Sequence, residues 1–124
     1  MTIHLHLKTR AGRAATHAAI ERVLATLASA TAARAEAEAP HATGFLASTV
    51  TAIAPNTPEH PAETVQTVAG ARHVGAGPAA GPREAFVHVA ASYALFVELR
   101  DPFLLPALYE SVAALATLLA DEGL

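Results

Sequence analysis

One uninterrupted run of helix-forming residues, 14–38, constrains the fold of this 124-residue chain more than any other feature. Its alanines favour helix strongly. Pro40 follows after Ala39 and disfavours helical backbone in the residue before it, so we expect the helix to end there. Large apolar side chains recur at helical spacing in the first half of the run, at Ile20, Val23, Leu24 and Leu27. The sequence therefore predicts one long N-terminal helix.

The end of this predicted helix, 32–39, contains almost no large side chains. Its many alanines permit the close approach of a partner, so this face is a candidate binding surface. The alternative is an ordinary solvated helix terminus. The sequence leaves both interpretations open.

Four further segments carry strand patterns. Residues 3–7 alternate between apolar residues and histidine, and residues 48–54 are rich in β-branched residues. Residues 85–90 are also predicted to form a strand. Residues 63–68 alternate and are predicted to pair with 48–54. Residues 45–47 fit a single helical turn.

Proline and glycine predict the loops and the remaining helix. Residues 55–61 are proline-rich, and 69–83 hold four of the seven glycines, which predicts a flexible loop. Residues 93–99 either extend the last strand or turn into a helix. Pro106 fits the first position of a final helix that reaches about Leu119, with a buried stripe at Leu108, Val112, Leu115 and Leu119.

These elements predict a single α+β domain over residues 1–124. It contains a long N-terminal helix, a small antiparallel sheet of three to four strands, and a C-terminal helix packed on the sheet. Hydrophobic residues make up 52% of the chain, but many are alanine, and only 5% are aromatic. Since alanine buries little area, a single subunit should be only modestly stable and should complete its burial against neighbouring molecules.

Composition also argues against several functions. The net charge is −3 and the arginines are scattered, which does not match a nucleic-acid-binding surface. The absence of cysteine excludes disulfides, thiol catalysis and cysteine zinc sites. The glycine-rich segment 75–81 lacks the Lys-Ser/Thr ending of a phosphate loop. No apolar segment approaches the roughly 20 residues of a membrane span.

Seven histidines raise the question of a metal site. His4 and His6 share one face of the first strand, but further ligands at recognisable spacing are missing. We interpret them as the solvent-facing side of an edge strand. His88 is expected to be packed or half-exposed. Asp101 precedes a proline at a predicted helix start, where capping is its expected role. We predict no catalytic residue, no cofactor and no metal.

Three of the six aromatic residues, Tyr93, Phe96 and Phe103, lie within eleven positions. They are expected to form a local apolar cluster between the sheet and the last helix, or to cover a partner. Pro102 and Pro106 restrict the backbone on both sides of Phe103. We expect Phe103 to point into the core and Leu105 to face outward.

Two segments resemble the small tail-component and head-tail connector family of long-tailed bacteriophages, also called neck or tail-completion proteins. In the first, 39–50, the matching residues are Pro40, Thr43, Gly44 and Leu46. In the second, 93–108, they are Tyr93, Phe96, Val97, Glu98, Pro102, Phe103, Leu104, Leu105, Pro106 and Leu108. The family pattern has several more residues between Val-Glu and Pro-Phe-Leu, so the intervening loop is shortened here.

The resemblance implies a structural virion protein rather than an enzyme. It would form a homomeric ring, expected to be hexameric, at the head-tail junction, after assembly in the cytoplasm of the bacterial host. Its partners would be itself and the neck and tail proteins above and below. DNA would only pass through the lumen, and no membrane is involved. A tail terminator ring that caps the tail tube is an alternative within this interpretation. A histidine-dependent metal enzyme and a dimeric ligand-binding domain are more distant alternatives.

Overall fold

The expected α+β architecture is confirmed by a computed structural model, which describes residues 1–6, 14–40, 45–59, 61, 63–67, 70–74, 76–91 and 93–121. The described elements follow one another as β1 (Thr2–His6), α1 (Ala14–Glu38), α2 (Phe45–Ser48), β2 (Val50–Ile53), β3 (Glu63–Thr67), β4 (Gly70–Val74), β5 (Glu84–Val89), α3 (Ala94–Arg100), α4 (Leu104–Val112) and α5 (Leu115–Asp121).

The main sheet has three antiparallel strands in the order β1-β5-β2. In the central strand β5, Val87 lies opposite Ile3 of β1 and Ala52 of β2. Because side chains alternate across a strand, Ala85, Val87 and Val89 share one face, and all three are fully buried. This face belongs to the same core as α1.

The predicted partner of the 63–68 segment is wrong. Strand β3 pairs with β4 as a separate two-stranded sheet, with Glu63 opposite Val74. Strand β4 falls within 69–83, so the prediction of a loop over that whole span is also wrong. Only residues 68 and 69 separate the two strands, and such a short connection favours local pairing over pairing with the more distant β2.

Helix α1 is the central element of the core. Its predicted apolar residues Ile20, Val23, Leu24 and Leu27 are all buried, as expected. It packs on β2 and β5, and it packs along α4.

The alanine-rich end of α1 has one buried side and one exposed side. Ala32, Ala35 and Ala39 are buried in the same core cluster as Leu104 and Ala107 of α4. Small side chains here allow α4 to approach closely, so the buried side is used within the chain, while residues 33, 34 and 36–38 face solvent.

The C-terminal segment consists of three helices. The open choice for 93–99 is settled as helix α3. Helix α4 begins at Leu104, which makes Pro106 its third residue rather than its first. This position is tolerated because the N–H groups of the first turn have no intrahelical partner.

The single final helix predicted to reach Leu119 is divided after Val112, and the two parts are bent by 48°. The residues of α4 that are buried are Leu104, Ala107 and Ser111, so the predicted stripe is out of phase. Leu108 and Leu115 still pack against the core, but Val112 is exposed. In the described part of the chain no single helix is long and apolar enough to span a membrane. Helices α4 and α5 meet the length and composition criteria only as a bent pair.

Candidate assembly surface

The carboxylate of Glu98 fixes the start of helix α4. Its Oε2 accepts hydrogen bonds from the backbone N–H groups of Phe103 at 2.9 Å and Leu104 at 3.0 Å. Its Oε1 accepts a third from the N–H of Leu105 at 3.0 Å. Glu98 is only 7% exposed, so this arrangement is shielded from water.

Glu98 supplies the hydrogen-bond acceptor that the first N–H groups of a helix lack. The first N–H groups of a helix have no intrahelical acceptor, and a negative charge at this end interacts favourably with the helix dipole. Asp101, expected as the cap, instead ends α3, where its N–H bonds to the carbonyl oxygen of Val97 at 2.7 Å. The expected cap is therefore wrong, because α3 places the earlier carboxylate directly under α4.

Glu98 aligns the residues after it so that they point to opposite sides. Phe103 is 0% exposed and Leu104 is 1% exposed, whereas Leu105 is 46% exposed. The expected division between an inward Phe103 and an outward Leu105 is confirmed. The predicted three-membered aromatic cluster is wrong, since Phe96 is 75% exposed while Tyr93 packs against the core.

Six large apolar side chains remain exposed on α3 and α4. We call them the α3–α4 surface, and they are Leu95, Phe96, Leu99, Leu105, Tyr109 and Val112. The three on α4 are spaced by four and three residues and therefore share one helix face. Within the described part of the chain, every exposed large hydrophobic residue belongs to this surface.

The other residues of the two motif segments have mainly internal roles. Leu46 is buried, and Val97 and Leu108 pack against the core. Pro40 and Pro106 are half-buried and Pro102 is exposed. Thr43 and Gly44 lie outside the described residues.

The histidines of β1 lie on the outer face of an edge strand, as expected. His4 and His6 are exposed, and the ring of His4 stacks on Phe86 with a centroid distance of 4.7 Å. His88 is buried, and its Nδ1 lies 2.8 Å from the hydroxyl of Thr2. No group of three metal-binding side chains occurs among the residues described.

Glu84 connects β5 to the turn before it. The N–H of Gly81 donates to Oε1 of Glu84 at 2.8 Å, and Oε2 lies 2.7 Å from Nε2 of His4. The Gly81 hydrogen bond, supported by His4 and His6, holds the pKa of Glu84 below its usual value despite the opposing effect of burial. With His6 and residues 81–83, Glu84 also lines a groove of about 220 Å³.

A charged cluster lies at the junction of α1 and α4. Nη1 of Arg34 lies 3.2 Å from Oε2 of Glu110. Burial and the adjacent carboxylate of Glu110 raise the pKa of Glu38, and the charge of Arg34 partly offsets this increase. The cluster belongs to the contact between the two helices.

Sequence reasoning missed Thr49. Its hydroxyl donates to the carbonyl oxygen of Leu46 at 2.8 Å and accepts the N–H of Ala91 at 3.3 Å. Thr49 is buried and joins the end of α2 to the segment that leads into α3. The available signal was a threonine between a helical turn and a β-branched strand, where such side chains often bond to the backbone.

The chain matches no protein-family model, no curated protein and no solved structure.

Proposed function

We propose that this protein is a structural subunit of a tailed bacteriophage that forms a homomeric ring at the head-tail junction, through which DNA passes. The observation that carries the proposal is the contact between the two halves of the second motif. Its Val-Glu half supplies the carboxylate of Glu98, and its Pro-Phe-Leu half supplies the N–H groups of Phe103 and Leu104. The occurrence of Val-Glu and Pro-Phe-Leu in one motif then has a physical reason, because the carboxylate of the first half and the N–H groups of the second stabilise each other.

The exposed α3–α4 surface supports the same proposal. Six large apolar side chains are exposed on two consecutive helices, and apolar patches larger than roughly 300–600 Å² are rare on monomeric proteins. The arrangement of Phe103 and Leu105 gives one short segment both a core residue and an exposed apolar residue. In this role the protein acts mechanically: subunits bury apolar faces laterally, and loops contact the rings above and below. A neck ring and a tail terminator ring both fit this description.

Deletion of the gene in its phage tests the proposal. We expect heads and tails that fail to join, or tails of uncontrolled length, and complementation in trans should restore whole particles. Imaging of purified virions with a label on this subunit should place it at the neck or upper tail. Normal infectious particles from the deletion mutant would contradict the proposal.

A further inference from the structure

We propose that the α3–α4 surface binds a second copy of this chain and provides the contact between neighbouring subunits. This inference rests on the proposed ring and assigns one of its contacts to named residues. The surface comprises Leu95, Phe96 and Leu99 of α3 with Leu105, Tyr109 and Val112 of α4.

The exposed area is close to what a stable contact requires. An aromatic side chain presents roughly 150–250 Å² when fully exposed, and leucine and valine present less. The six side chains, exposed by 42% to 76%, together leave on the order of 600 Å² open to solvent. A specific interface buries about 800 Å² on each partner, so this surface with a polar rim reaches the necessary size.

Charge also favours a second copy over a charged partner. None of the six side chains is charged. Of the three acidic residues that lie among them in sequence, Glu98 is buried with its carboxylate bonded to three N–H groups, Glu110 pairs with Arg34 of α1, and Asp101 is exposed. The exposed charges of Arg100 and Asp101 lie between the α3 and α4 members in sequence and have opposite signs, so they do not favour a partner of one charge. Interfaces with depleted charge in the centre and aromatic residues among the anchors are typical of protein-protein contacts.

The geometry keeps the surface in place without a partner. Leu104, Ala107 and Ser111 attach α4 to the core through its opposite face. Glu98 holds the first turn of α4 against α3 through the three hydrogen bonds already described. The α3–α4 surface is therefore preorganised, which lowers the cost of ordering side chains on association.

The test is sedimentation velocity of the full chain across a wide concentration range. The double substitution Phe96→Ala and Leu99→Ala removes two of the most exposed members, and alanine preserves helix propensity. We expect the wild type to associate and the double variant to be at least about tenfold weaker in association. Glu36→Ala, at an exposed position of α1, is the matched control and should associate like the wild type. Circular dichroism must show native helix content in all three proteins.

The outcomes separate this inference from the proposed ring. A ring that forms equally well in the double variant overturns the inference and leaves the ring intact. A dimer that depends on Phe96 and Leu99 upholds the inference and contradicts the ring. A wild type that stays monomeric at every concentration overturns the inference. So does a monomer that floats with phosphatidylglycerol vesicles only when Phe96 and Leu99 are present, since the partner is then a membrane.

Discussion

The carboxylate of Glu98 lies 3.0 Å from the backbone nitrogen of Leu104, six residues later in the chain. One buried acidic side chain on α3 thus caps the first N–H groups of α4 and connects the two helices. The same contact turns Phe103 into the core and leaves Leu105 exposed. Both the stability of the subunit and the shape of its exposed surface depend on this arrangement.

Glu98→Ala should destabilise the fold by about 3 kcal/mol, because buried N–H groups lose a charged acceptor. Glu98→Gln should cost less, since one oxygen remains to accept the hydrogen bonds of Phe103 and Leu104. Urea denaturation followed by circular dichroism measures both. Asp101→Ala is the control and should change the free energy of unfolding by less than about 0.5 kcal/mol. A larger loss for Asp101→Ala than for Glu98→Ala would show that the cap is misassigned.

Phe103→Ala should leave the isolated subunit largely unfolded. Truncation of a buried phenylalanine costs about 3–5 kcal/mol, and an ordinary domain is stable by only about 5–15 kcal/mol. Leu105→Ala should keep the fold, because Leu105 is exposed, and should weaken ring formation. Thermal melting and sedimentation distinguish the two effects. A wild-type melting curve for Phe103→Ala with loss of assembly alone would reverse their roles.

Ala35→Leu should destabilise the protein by about 1–3 kcal/mol through overpacking. Ala35 is fully buried where α1 meets α4, and a larger side chain would force the two helices apart. Ala37→Leu, two residues later and exposed, is the matched control and should be nearly neutral. Chemical denaturation of both variants provides the comparison, and equal stability would exclude close packing at this position.

Glu84 should make the fold sensitive to acid. Its pKa is lowered below the usual 4.5 in the folded protein, chiefly by the Gly81 hydrogen bond. The contribution to stability is therefore fully present above about pH 4.5 and is lost as the pH falls through the lower folded-state pKa. Glu84→Gln should reduce stability at neutral pH and flatten this acid dependence. Melting temperatures of the variant and the wild type between pH 3 and pH 7 measure the effect. If the slope of melting temperature against pH is the same in both proteins, Glu84 does not contribute to the acid sensitivity.

Glu38 should have the opposite pH dependence. Burial and Glu110 raise its pKa above the usual 4.5, so the folded state holds this proton more tightly than the unfolded state. Its effect on stability is most favourable below about pH 4.5 and is lost as the pH rises through the folded-state pKa. Glu38→Gln removes this effect. The melting temperature of the variant should therefore exceed that of the wild type by more at neutral pH than in acid. A variant with wild-type pH dependence would show that the pKa of Glu38 is not raised in the folded protein.

Elements that depend on local pattern could be predicted from the amino-acid sequence alone. The alanine-rich run gave α1 its limits, and alternation or β-branching identified β1, β2 and β5. The inward position of Phe103 also followed from sequence, because the flanking prolines and apolar neighbours restrict where so large a side chain can be placed. In these cases the interactions that decide the structure lie within a few residues of one another.

Features that require distant residues to meet could not be predicted from local pattern. Pairing of β3 with β4, and burial of Ala32 and Ala35 under α4, depend on which surfaces come together in the core. The phase of α4 depends on Glu98, whose carboxylate starts the helix at Leu104, two residues before the proline that marks a helix start in the sequence. Propensity and periodicity carry no information about such partners, because the burial of a small or charged side chain is a property of what packs against it.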